Sequence, residues 1–122
     1  MTLYCPVYNF LKGYLKGAIF NSSITAYTDI FQNNLRPSLA KYGNPSYFRI
    51  FACFDNDGVL SVVKIKDNIP VTVQLNSGNP LRANCLYAFD VVIDYEESIN
   101  LRYGANATII ELKVLEIAAT VV

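Results

Sequence analysis

Three carboxylates, Asp94, Glu96 and Glu97, fall within four residues, and Asp90 precedes them on the same apolar run. A carboxylate pair can do acid and base work on a glycosidic bond if one member is desolvated and the two flank a cleft. A turn between two strands offers neither condition, so the group reads as a solvated turn. The run Asp55-Asn56-Asp57-Gly58 carries part of a calcium loop, with carboxylates at alternate positions ahead of a glycine. A complete loop needs a further oxygen donor before the glycine and a glutamate beyond it, whereas Val59, Leu60 and Ser61 follow here. The expectation is a hairpin turn with no metal.

The chain has 3 cysteines and no histidine. Cys5, Cys53 and Cys85 lack CxxC spacing, so zinc ligation, Cys-His chemistry and a Ser-His-Asp triad all lose their usual parts. No catalytic residue and no cofactor is expected. An odd cysteine count excludes a fully paired disulfide framework, and Cys53 and Cys85, both on alternating apolar stretches, read as buried free thiols. Asn21-Ser22-Ser23 and Asn106-Ala107-Thr108 match the glycosylation tripeptide, which also recurs by chance.

Length allows one domain, because 122 residues suffice for a single core and leave no room for a second. With 10 basic against 10 acidic residues, the net charge is zero and the basic field of a nucleic-acid-binding protein is missing. Charged residues make up 16% and hydrophobic ones 52% of the chain, against about a quarter charged in an ordinary domain. A neutral, apolar surface promotes association, so some of the apolar excess is expected in contacts between subunits. No apolar run is long enough for a transmembrane helix. Leu3, Val7, Phe10 and Leu11 precede Lys12 and Lys16, the reverse of a secretory signal's order. The 9 tyrosines suit core and interface positions, where a large apolar body carries a polar tip, better than a sugar platform.

The elements that must position these groups are short strands between regularly spaced turns. Asn, Asp, Gly and Pro cluster at 43–45, 55–58, 67–68, 76–80 and 104–106, a cadence that predicts an all-β sandwich or barrel. The alternation predicts a first strand at Ile24–Phe31, then Ser46–Phe54 as a central strand and Val59–Lys66 as its hairpin partner. Ile69–Asn76 follows, with Pro70 at a strand start or an edge. Cys85–Ile93, nearly continuous in apolar residues, predicts a strand buried on both faces and joined as a hairpin to Ser98–Tyr103. In Thr108–Ala118 the inward set Ile110, Leu112 and Val114 shifts phase at Leu115, the mark of a bulge. Residues 1–20 read as an N-terminal arm, helical or extended, and 21–122 as the sandwich.

The cadence of the C-terminal third, Gly78-Asn79-Pro80-Leu81-Arg82-Ala83-Asn84, Leu86-Tyr87-Ala88-Phe89-Asp90-Val91, Ser98-Ile99-Asn100-Leu101-Arg102-Tyr103 and Ala107-Thr108-Ile109-Ile110-Glu111-Leu112, resembles compact jelly-roll modules of virion surface and capsid-associated proteins. The likeness is to those of viruses of hyperthermophilic archaea in particular, and more loosely to trimeric heads of the tumour-necrosis-factor and C1q type. It implies a β-sandwich of jelly-roll type with about eight strands. It also implies a structural, non-enzymatic subunit of a virus particle that contacts itself and other structural proteins. The alternative is a cell-surface or extracellular filament built by strand donation, with a carbohydrate-binding module behind it. The residues expected at assembly contacts are Leu3, Tyr4, Val7, Tyr8, Phe10, Leu11 and Tyr14 in the arm, and Tyr87, Phe89 and Tyr103 near a subunit contact.

Overall fold

The computed structural model describes residues 13–118, so the arm positions Leu3, Tyr4, Val7, Tyr8, Phe10 and Leu11 lie outside the described residues. Seven strands are present among the described residues: β1 (Tyr14–Ile24), β2 (Ser46–Phe54), β3 (Leu60–Lys66), β4 (Ile69–Gln74), β5 (Tyr87–Ile93), β6 (Ser98–Tyr103) and β7 (Ala107–Ala118). They form two antiparallel sheets, one of order β1-β7-β2-β5 and one of order β4-β3-β6. In β2, β3, β5, β6 and β7 a period-2 pattern turns one row of apolar side chains to a shared interior, whereas β4 is exposed along its length. Phe48 and Ile50 from β2, Leu112 and Val114 from β7, Val91 and Ile93 from β5, Leu60 and Val62 from β3, and Ile99 and Leu101 from β6 make up most of that core.

The pairings nest. β3 pairs with β4, its neighbour in sequence, across the two-residue turn Asp67-Asn68. Both turn residues have positive φ, 51° and 62°, which is the primed turn that matches strand twist. Outside that hairpin β2 pairs with β5, and outermost β1 pairs with β7. Consequently the β3–β4 turn alone joins neighbours in one sheet; β1 and β2 lie in the same sheet with β7 between them, and the remaining connections between consecutive strands cross from one sheet to the other.

Two expected hairpins are therefore corrected. Ser46–Phe54 and Val59–Lys66 do not pair, and neither do Cys85–Ile93 and Ser98–Tyr103, because each couple has one strand in each sheet. Phe54 and Leu60, which flank the first turn, are both buried in the core, so that turn folds the chain over the interior. Gly58 takes part by close approach and has no positive φ: a Cβ there would fall 2.8 Å from the Tyr103 ring. That ring stacks on Phe54 with centroids 3.7 Å apart, and its hydroxyl donates to the Asn56 carbonyl at 2.7 Å.

The predicted first strand, Ile24–Phe31, is also corrected. The strand runs over Tyr14–Ile24 and takes in Tyr14 to Phe20 of the expected arm, with pairs from Tyr14↔Glu116 to Ile24↔Ala107. The following segment, 25–35, lies irregularly along the outer edge of β6. Tyr27 and Ile30 donate backbone N–H groups to the carbonyls of Tyr103 and Leu101, and Leu35 and Ile99 exchange both bonds. Asn100 completes the attachment, its Oδ1 accepting from Phe31 N–H at 3.0 Å and its Nδ2 donating to the Phe31 carbonyl at 2.8 Å and to Asn34 Oδ1 at 2.9 Å. The side chain thus supplies the ladder bonds that the irregular backbone cannot reach.

Cys85–Ile93 is not buried on both faces. β5 is the last strand of its sheet, with Tyr87, Phe89, Val91 and Ile93 toward the interior and Ala88, Asp90 and Val92 exposed. Replacing Asn100 by Ala should cost about 2–4 kcal/mol in urea-unfolding experiments, because Phe31 N–H and C=O are left buried without partners. The amides of Tyr27, Ile30 and Leu35 should then exchange faster while those of β2 and β7 keep their protection.

Candidate functional site

The most unusual chemical group is one that strand alternation hides. Glu116 stands on the inner face of β7, in phase with Leu112 and Val114, and is fully buried. Its Oε1 accepts from Ser38 N–H at 2.7 Å, and its Oε2 accepts from Leu39 N–H at 2.9 Å and the Ser46 hydroxyl at 2.7 Å. Lys16 Nζ lies 3.6 Å from Oε1 and donates to Ser38 Oγ at 2.8 Å. Burial alone would raise the carboxyl, but the two backbone donors, the serine hydroxyl and the ammonium together outweigh it and hold the group below the usual glutamate range. The carboxylate joins β1, the 36–45 connection, the start of β2 and β7.

The expected phase shift at Leu115 is replaced by one at Ile110. Cys53 faces Glu111 and Phe54 faces Ile109, which leaves Ile110 as the extra residue of a bulge. Beyond it Leu112, Val114 and Glu116 keep one phase, so a glutamate takes an inward position. A signal existed in the even spacing of those three residues with Ser46 available at a strand start, but a charge at an inward position is read first as a break in the pattern.

Of the carboxylates first considered for catalysis, Asp90, Glu96 and Glu97 are engaged. Asp90 is paired with Arg49 of β2 through two parallel bonds of 2.7 and 2.8 Å, which draw its carboxyl below the ordinary range. Glu97 accepts from the Asp94 N–H at 3.0 Å within an exposed turn, and Glu96 faces Lys66 at 3.7 Å. Asp55 and Asp57 pin separate segments, accepting from Thr108 N–H at 2.6 Å and Ala83 N–H at 2.7 Å. Among the described residues no group of three or more His, Cys, Asp or Glu converges in a way that could hold a metal ion.

Both described cysteines are free thiols. Cys53 is buried, and burial, with smaller effects from Cys85 and Glu111, raises its thiol above the ordinary value; Cys85 is exposed, contrary to the expectation that both lie inside. Of the candidate contact residues, Tyr103 is wholly inside the core, where burial first and the Asp57 carboxylate second push its hydroxyl up to about 12. It therefore has no surface to offer a partner, a correction that follows from its stacking on Phe54. Tyr87 and Phe89 are half-buried on the inner side of β5, their rings stacked 6.1 Å apart. Tyr14 is 58% exposed on β1.

Other exposed apolar side chains lie on or beside the strands at the sheet margins, Leu15 and Phe20 on β1, Ile69 and Val71 on β4, and Leu86 and Val92 at β5, while Tyr27, Tyr42 and Tyr95 are exposed in the connections. Alternation alone could not find them, because an exposed valine on an edge strand looks like a buried one in sequence. Compared with known proteins, the chain matches no family model and no curated protein.

Replacing Glu116 by Gln keeps the shape and removes the charge, and should cost about 2–4 kcal/mol at neutral pH. The folded carboxyl titrates below the unfolded one. Its contribution is therefore complete above the unfolded value of about 4.3 and is lost as pH falls through the folded value. Urea midpoints should show a constant gap between parent and variant near neutrality that narrows once the pH falls below about 4.

Proposed function

We propose that this chain is a jelly-roll structural subunit of a virus particle, acting through contacts with copies of itself and with other structural proteins, and not through catalysis. The observation that carries the reading is the nested pairing. With the segment 25–35 counted in its place beside β6, the order of pairing from outside inward is β1 with β7, 25–35 with β6, β2 with β5, and β3 with β4. A long antiparallel hairpin rolled into two facing layers of four is the jelly-roll arrangement, common among capsid and lectin domains. Fold alone does not assign function. Two features of the surface favour the structural reading: a balance of charge with no basic field for nucleic acid, and apolar side chains gathered on the strands at the sheet margins.

A subunit of an extracellular filament is the second reading. It is favoured by the regular margin of β5, unpaired among the described residues, where a donated strand could add.

The test is the state of the purified full chain across a range of concentrations. Light scattering should show growth beyond the monomer, and electron microscopy should show closed particles or uniform oligomers, whereas unbranched fibres would favour the filament. A protein that stays monomeric throughout would overturn both readings. Removal of residues 1–20, which takes away Tyr14–Phe20 of β1, should unfold or aggregate the protein, since the side of β7 away from β2 would then be unpaired along much of its length.

A further inference from the structure

We infer that the outer edge of β5 accepts residues 1–12 of a second copy as an added strand, an inference that rests on the self-assembly proposed above. Sheets have edges, and natural proteins blunt them with a bulge, a proline, a charge or a covering segment. Three of the four edges here carry such a device. β6 is covered by 25–35; β4 contains Pro70; β1 is broken by a bulge at Lys16 and by a positive φ of 52° at Asn21. β5 has none. Its seven residues, Tyr-Ala-Phe-Asp-Val-Val-Ile, include no proline, glycine or lysine, and its register with β2 runs unbroken from Ser46↔Ile93 to Ala52↔Tyr87. Asp90, its one charge, is neutralised from within its own sheet by Arg49. Among the described residues nothing pairs with the far side of this strand.

The occupant follows from charge and reach. Residues 1–12 contain no acidic residue, and Lys12 is the one charged side chain among them, while Asp94, Glu96 and Glu97 follow β5 directly. Leu3, Tyr4, Val7, Tyr8, Phe10 and Leu11 give the segment apolar side chains for both faces of an added strand. A seven-residue edge is about 24 Å long, within the roughly 30 Å that residues 3–11 reach when extended. The same segment of the same copy starts from β1, at the opposite end of the sheet. It would spend about 19 Å of its length crossing β7, β2 and β5 before pairing could begin, so a neighbouring copy is the better donor.

Hydrogen exchange of the full chain at several concentrations, with light scattering on the same samples, tests this. A full-length variant carrying Val7→Asp and Tyr8→Asp is measured beside it, and its β3 and β6 amides report that it is folded. The β5 amides that face away from β2 should slow by about tenfold as concentration rises, and the variant should lose that slowing. Slowing that rises with concentration but survives in the variant would point to β5 pairing with itself and overturn the inference. Slowing independent of concentration but lost in the variant would place the segment on its own copy, which also overturns it. If scattering shows assembly while β5 stays unprotected, this inference fails and the proposed function stands; if no assembly occurs, both fail.

Discussion

A carboxylate buried near the C-terminal end of β7 ties β1, β2 and the 36–45 connection to that strand at one point. Taking Glu116 out of water carries a penalty of several kcal/mol, and the group stays ionised because three hydrogen bonds and a lysine meet it there. Those partners come from β1, from the connection 36–45 and from the start of β2, so the outermost pair of the nested set and the central strand of the sheet are tied at one point. The core between the two sheets is apolar, and such contact is not directional. Here the donors fix where the 36–45 connection turns back, and thereby the register from which β2 begins.

The same economy of polar groups recurs at the opposite end. Asp55, Asn56 and Asp57 look like a ligand set in sequence but serve as fasteners, reaching the backbones of Thr108, Asn106 and Ala83. Asn100 does for the irregular segment 25–35 what a regular ladder would otherwise do. In each case one side chain stabilises a connection that crosses between the sheets, where backbone groups cannot pair with a neighbouring strand. Among the buried side chains described, no nitrogen or oxygen lacks a hydrogen-bond partner.

The margins of the two sheets are treated unequally, and the difference bears on association. One is covered, one carries a proline, one is bulged, and the β5 margin is regular. Apolar side chains that would be unremarkable singly, such as Leu86 and Val92, lie beside that regular margin. An edge of this kind is a liability in an isolated molecule and an asset in one that assembles.

Much of the architecture was legible in the residues themselves. Period-2 alternation located β2, β3, β4, β6 and β7 closely, the turn clusters separated them, and Pro70 marked an edge strand, because these features depend on local stereochemistry and side-chain burial alone. Whether two strands joined by a short turn pair side by side or face each other across the core is not a local property. The turns at 55–58 and 94–97 therefore read as hairpins until the nested pairing placed their strands in different sheets. The missed strand at Tyr14–Ile24 has a similar cause: its glycine and lysine weaken the local pattern, and β7 supplies the stabilising partner from nearly a hundred residues away. Glu116 shows the limit most clearly. Its type and position are given by the sequence, but its ionised, buried state depends on donors at Ser38, Leu39 and Ser46 that only the folded chain brings within hydrogen-bonding distance.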